Sequence, residues 1–178
     1  MDRRSFLRTS ALGGAAAAST TLAAPAYAQG NRTLTMVTSV PDGFAIFDDA
    51  ASMAARIITE MTDGALTINK MPAGSLVGAF EVFDAVSSGQ ADLYHSAEYY
   101  FLNQHPAFAF FTAVPFGMTG VEMLAWYYHG GGMEHHQNLA SLFNLKPFLC
   151  GNTAMQPGGW FNTEINSAED LQGLRFRM

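Results

Sequence analysis

R-T-L-T-M-V-T-S, Arg32 to Ser39, is the stretch on which the fold turns. Its alternation and its Thr and Val content read as a strand. Pro41-Asp42-Gly43 is a turn by composition. From Phe44 to Thr62, Ile46, Met53, Ile57, Ile58 and Met61 recur near helical spacing, and Gly64 stands where a helix terminator belongs. Ala65 to Met71 (A-L-T-I-N-K-M) reads as a second strand, broken by Pro72-Ala73-Gly74-Ser75. Ala79 to Ser88 is a short amphipathic helix stopped by Gly89, and Ala91 to His95 a third strand. Strand, helix, strand, helix, strand with short connections predicts a parallel α/β sheet with right-handed crossovers.

Working outward, Val121 to His129 and Met133 to Phe143 read as helices divided by Gly130-Gly131-Gly132. Leu145 to Cys150, Gly159 to Asn162 and Leu174 to Met178 are expected strands. In the last, Leu174, Phe176 and Met178 alternate with Arg175 and Arg177, after an entry turn at Gly173. No cap or polar tail follows Met178, so the chain reads as a fragment of a longer protein. There is no internal repeat or low-complexity linker beyond residue 28.

The N-terminus reads as an export signal rather than as part of the fold. M-D-R-R-S-F-L-R is a charged region with a twin-arginine pair, Arg3-Arg4, followed by an Ala-rich apolar stretch and a small-residue cleavage site at Ala26-Tyr27-Ala28. That stretch is too short and weak to span a membrane. The expected division is residues 1–28 as signal and 29–178 as the folded part. The chain carries a net charge of −6, and removing the signal makes it more acidic, which argues against nucleic acid as a partner. With 49% hydrophobic and 12% aromatic residues it can bury a core. Its single cysteine, Cys150, excludes an internal disulfide, and the apolar run L-K-P-F-L-C reads as a buried thiol.

Several motifs invite chemistry. His129-Gly130-Gly131-Gly132 is like an esterase oxyanion loop, but such loops follow a strand and need a G-x-S-x-G elsewhere, which this chain lacks. A flexible break between two helices explains it better. The chain also has no G-x-G-x-x-G. His129, Glu134, His135 and His136 form a metal-like cluster. His135 and His136 are adjacent, however, so on a helix they diverge by about 100°, and solvated surface histidines are expected. Tyr99 and Tyr100 follow the third strand, beyond whose carboxyl end ligands of open α/β sheets bind. They would either offer hydroxyl donors and a ring wall to a small solute or cap the sheet as amphipathic filler.

The segment N-T-A-M-Q-P-G-G-W-F, the turn E-I-N-S-A-E-D-L-Q-G and the strand L-R-F-R resemble the DctP family, the extracytoplasmic solute receptors of TRAP transporters. The likeness extends to L-V-G, D-A-V-S-S-G, V-P-F-G and W-Y-Y-H-G-G-G, and runs from about Arg32 to Met178. The Y-Y pair, H-G-G-G and Q-x-G-G-W-F are most similar to the branch that takes 2-oxo acids and related monocarboxylates.

The resemblance implies a two-lobed α/β periplasmic-binding-protein fold, of which this chain holds the first lobe and the start of the crossover. It implies no enzyme activity, but periplasmic capture of a small organic acid for a TRAP membrane permease. It gives Arg177 the role of salt-bridging the substrate carboxylate, which a planar guanidinium fork does bidentately. Without the motif, Arg177 would read as a solvated strand face shared with Arg175. It also implies that Gln156 contacts both the substrate and a bound Na⁺ or Ca²⁺, that the other cation ligands lie in the second lobe, and that Trp160 packs the hinge. A homodimer of the full-length protein is a further partner expectation. The rival readings are a secreted α/β hydrolase or metalloenzyme using the HGGG and His-rich stretch, and a receptor for an ABC importer.

Overall fold

The structure, a computed structural model, describes residues 30–154 and 156–175. The expected signal segment 1–28 and Arg177 lie outside the described residues.

The opening stretch forms β1, Arg32–Thr38, and its burial deepens toward the carboxyl end. It is the central strand of a three-stranded sheet of order β2-β1-β3, where β2 is Leu66–Met71 and β3 is Leu93–His95. β1 and β3 pair in parallel, with Met36 opposite Leu93, Val37 opposite Tyr94 and Thr38 opposite His95. Asp92 locks the entry to this pairing: its carboxylate accepts from Thr35 N at 2.8 Å, while its own N–H donates to Thr35 O at 3.0 Å. A central parallel strand is covered on both faces, so Met36, Val37 and Thr38 are all buried although a half-buried strand would alternate.

α1, Phe47–Met61, connects β1 to β2. Asp49 accepts from Ile46 N at 3.0 Å, and Asp48 and Asp49 place negative charge at the helix N-terminus, where the aligned backbone dipoles favour it. At the other end Thr62 Oγ1 donates to Ile58 O at 2.8 Å and accepts from Leu66 N at 3.1 Å. Gly64, at φ +76°, then donates to Thr59 O at 2.9 Å, so the expected terminator is a left-handed cap. The apolar face read from the sequence differs in one respect: Ile46, Met53, Ile57 and Met61 are exposed, and the buried residues of α1 are Asp48 and Ala51.

α2, Val82–Ser87, supplies the interior with Val82, Phe83 and Ala85. The Phe83 ring is the centre of an aromatic cluster, with Phe101 at 5.0 Å, Phe143 at 5.3 Å and Phe108 at 5.5 Å between centroids. Two 3-10 turns follow β3, Glu98–Phe101 and Pro106–Phe111, and bring Phe101 and Phe108 into that cluster.

α3, Gly120–His129, and α4, Gly132–Ser141, flank the glycine run. Thr119 and Glu122 form a reciprocal capping box at the start of α3. The run is a tight corner rather than a flexible break. Gly131 has φ +86°, and a Cβ on Gly130 or Gly132 would lie 2.8 or 2.7 Å from the Trp126 indole. Glycine is therefore required sterically as well as conformationally.

The expected strands Leu145–Cys150 and Gly159–Asn162 are not strands in the structure. Leu145 packs on the Phe83 cluster, Cys150 Sγ lies 3.7 Å from Ala50 O of α1, and Asn152 sits against Gly120. The segment is held by side-chain packing across three helices and has no ladder partner among the described residues, which alternation alone cannot supply. Its position also departs from the expectation of a buried thiol: Cys150 is exposed, with its sulfur resting against the Ala50 carbonyl. Leu174 and Arg175, the described part of the last expected strand, are likewise not in a strand.

Candidate functional site

The loops leaving all three strands are tied together at the carboxyl edge of the sheet. Ser39 N donates to His95 O at 3.1 Å, Ser39 Oγ and Ser96 Oγ are 2.6 Å apart, and Ala73 N donates to Val40 O at 3.0 Å. Beside this edge Lys70 pairs with Asp48 and, at 3.0 Å, with Asp42. Asp48 also accepts from Gly43 N at 3.0 Å, so the turn after β1 is fixed to both α1 and β2. The Lys70 bond and the Gly43 bond hold the Asp48 carboxyl below its usual range despite its burial. Burial opposes the charge on Lys70, but its two carboxylate partners outweigh that and raise it. His95 lies edge-on to Phe47 at 6.1 Å, and its buried Nδ1 has no hydrogen-bond partner. Burial lowers its pKa.

Tyr99 and Tyr100 stand on the 3-10 turn immediately beyond this edge, both half-buried, with ring centroids 4.7 Å apart in an edge-to-face pair. Tyr100 leans on the core cluster and on Phe80, at 5.3 Å, while Tyr99 N donates to Thr112 Oγ1 at 3.3 Å. Thus the two tyrosines are brought together at the place where a parallel sheet presents its ligand. Gln156 lies on the exposed segment after α4, its Nε2 donating to Thr153 Oγ1 at 3.2 Å. An amide oxygen is the kind of ligand that a hard cation such as Na⁺ or Ca²⁺ takes. Gln156 therefore fits as one ligand of such an ion. Trp160 is 91% exposed in this chain rather than packed.

The sequence reading missed a buried polar cluster next to the tyrosine pair. Tyr94 OH donates to the Glu98 carboxyl oxygens at 3.2 and 3.4 Å. Glu98 Oε1 is 3.6 Å from His136 Nε2, and His136 Nδ1 is 2.9 Å from Tyr127 OH. Phe111 stacks on the His136 ring at 4.3 Å. His136 is 5% exposed, which corrects the expectation of a solvated histidine, whereas His129, Glu134 and His135 are exposed as expected. Adjacent helical positions point to different sides, and the packing of α4 on α3 and on Pro106–Phe111 selects His136 for the interior. Only the placement of Glu98 beside the Y-Y pair hinted at this cluster, because the glycine corner brings Tyr127 and His136 together outside any helical spacing.

Among the described residues no group of three or more His, Cys, Asp and Glu side chains is placed to hold a metal ion. No helix among them is long and apolar enough to cross a membrane.

The model of the DctP family, bacterial extracellular solute-binding protein family 7, matches residues 36–178. The chain belongs to this family. The DctP chain is 41% identical over 143 residues to the monocarboxylate 2-oxoacid-binding periplasmic protein of Nostoc sp., covering 80% of this chain and 39% of that protein. A solved TRAP periplasmic solute-binding protein from Pseudoalteromonas atlantica T6c, with bound sodium and pyruvate, is 42% identical with a TM-score of 0.80. Another from Colwellia psychrerythraea, with bound calcium and pyruvate, is 40% identical, also with a TM-score of 0.80. Each solved likeness covers 83% of this chain and 45% of the other. The DctP chain thus spans less than half the length of these relatives, and its mixed α/β fold corresponds to part of a periplasmic-binding-protein fold. The family match favours solute binding over the hydrolase, metalloenzyme and ABC-importer readings.

Proposed function

We propose that this chain forms the N-terminal lobe of the periplasmic solute-binding component of a TRAP transporter, capturing a small 2-oxo acid such as pyruvate and delivering it to the membrane permease without chemical change. The observation that carries the reading is the 42% identity and 0.80 TM-score to a receptor holding pyruvate and sodium. In this reading Arg177 clamps the solute carboxylate through both guanidinium nitrogens, and Tyr99 and Tyr100 provide a ring wall and hydroxyl donors. Gln156 is shared between the solute and a Na⁺ or Ca²⁺ ion, which would neutralise charge on the bound acid. Residues 1–28 form a twin-arginine signal that sends residues 29–178 to the periplasm. A homodimer of the full-length protein belongs to the same reading.

The test is calorimetry of pyruvate binding to the full-length protein. Arg177→Met leaves the partner carboxylate unpaired in a desolvated site, which typically costs about 2–5 kcal/mol, so affinity falls well over tenfold. Unchanged affinity in that variant would overturn the clamp. Hydrolysis of an ester substrate by the purified protein would instead revive the enzyme reading.

A further inference from the structure

The buried cluster of Tyr94, Glu98, Tyr127 and His136 has no part in the solute-binding reading, yet it touches the segment that carries Tyr99 and Tyr100. One arrangement of its donors and acceptors satisfies both contacts of the Tyr127 hydroxyl. Tyr127 OH is 3.4 Å from the Phe111 carbonyl oxygen and 2.9 Å from His136 Nδ1. The carbonyl can only accept; with the hydroxyl proton directed to it, Nδ1 carries the hydrogen that the Tyr127 oxygen accepts. Nε2 is then the unprotonated nitrogen, buried without a hydrogen-bond partner and 3.6 Å from Glu98 Oε1. An ionised carboxylate would set lone pair against lone pair there. A carboxylic acid would donate to Nε2 after a shift of a few tenths of an ångström, while still accepting from Tyr94 OH. Among the described residues the polar groups facing Glu98 are Tyr94 from β3, Tyr127 from α3 and His136 from α4, while the Pro106–Phe111 turn sets the Phe108 and Phe111 rings against His136 and the Phe111 carbonyl against Tyr127. Among the described residues no lysine or arginine contributes to the Glu98 environment to balance an ionised form.

We propose that Glu98 and His136 hold one proton between them, resident on the carboxyl oxygen, and that this neutral cross-link from the Glu98–Phe101 turn to α4 positions Tyr99 and Tyr100. The use of those tyrosines for a solute rests on the function proposed above; the cross-link itself does not. Burial pushes Glu98 up to about 7 and His136 down to about 4. In an unfolded chain the same groups titrate near 4.5 and 6.5, so there the single proton resides on the histidine. Folding therefore moves it to the glutamate.

The linkage has a defined shape. Between pH 4.5 and 6.5 both states bind one proton, and the pair adds no pH dependence to stability. Above pH 6.5 only the folded state keeps the proton, so stability falls as pH rises through about 7. Below pH 4.5 the unfolded state binds a second proton, so stability falls as pH drops through about 4.

Nitrogen-15 NMR of the histidines in the full-length protein reads the protonation state directly. The expected result at pH 6 is a neutral His136 with hydrogen on Nδ1, and Tyr99 and Tyr100 ring resonances that shift with a midpoint near pH 7. Glu98→Gln keeps a neutral donor of the same shape, so it should abolish that shift and the loss of thermal stability between pH 6 and 8. Glu98→Ala should lower stability at both pH values. An imidazolium His136, or the Nε2–H tautomer, overturns the proposal. So does Tyr99 and Tyr100 titration that persists in Glu98→Gln. If the tyrosines do line the solute site, pyruvate affinity falls severalfold between pH 6 and 8 in the parent protein but not in Glu98→Gln. Absence of pyruvate binding in both would count against the function proposed above, with the NMR result still deciding the cross-link.

Discussion

Phe83 shows how much one side chain can contribute. It is 1% exposed and meets the rings of Tyr94, Phe101, Phe108 and Phe143, which come from β3, the two 3-10 turns after it and the segment just after α4. Phe83→Ala removes the centre of that cluster and leaves a cavity, so it should cost about 3–5 kcal/mol in denaturant unfolding. A loss below about 1 kcal/mol would mean the cluster collapses around the gap. At the proposed solute site, Gln156→Leu deletes the amide oxygen but not the carboxylate clamp. It should weaken pyruvate binding less than Arg177→Met does, and should flatten the response of affinity to added Na⁺ or Ca²⁺ in titration calorimetry. The type of each residue was legible from the chain, but the environment was not always. His135 and His136 look alike in sequence, and a rotation of about 100° separates a solvated imidazole from one stacked under Phe111.

At the scale of elements, the glycine corner between α3 and α4 makes a sharp prediction. Gly131 is at φ +86°, where a Cβ costs roughly 1–2 kcal/mol, and Gly132 has no room because the Trp126 indole occupies the place of its Cβ. Gly131→Ala and Gly132→Ala should each lower the thermal midpoint by several degrees, the second also by displacing Trp126 and so changing its fluorescence. Variants as stable as the parent, with unchanged emission, would show that the corner is loose. The helices and the three paired strands were readable because each carries its own signal: periodic apolar residues, a terminator at Gly64, and Thr- or Val-rich alternation. Leu145–Cys150 was misread because alternation reports which faces differ in polarity, whereas a strand also needs a neighbour offering free backbone groups. That neighbour is a property of topology.

At the scale of the molecule, much apolar surface remains uncovered. Met61 is 82% exposed, Phe148 72%, Trp160 91% and Phe116 109%, while the apolar side of α1 faces out. Such surface favours association. The 178-residue chain produced alone should therefore bind a hydrophobic dye and run above its monomer mass of 19.2 kDa in size-exclusion chromatography. A monodisperse monomer without dye binding would show the surface to be harmless. For the proposed export signal, Arg3→Lys combined with Arg4→Lys should leave uncleaved precursor in the cytoplasm, since the pair precedes a weak apolar region. Mature protein at normal levels in the periplasmic fraction would refute that route.

The order of elements from β1 to β3, the presence of the helices, the family and the place of the tyrosine pair beyond β3 were all determined by the sequence alone. Each depends on short-range pattern: period, cap, turn residue or contiguous motif. Tertiary structure alone decided that α1 turns its methionines outward, that the glycines make room for Trp126, and that Cys150 lies on the surface. It also decided that Glu98 meets His136. These outcomes depend on which face of one element finds which face of another, and residues 38 positions apart in the chain become neighbours only when the intervening turns and helices fold back on β3.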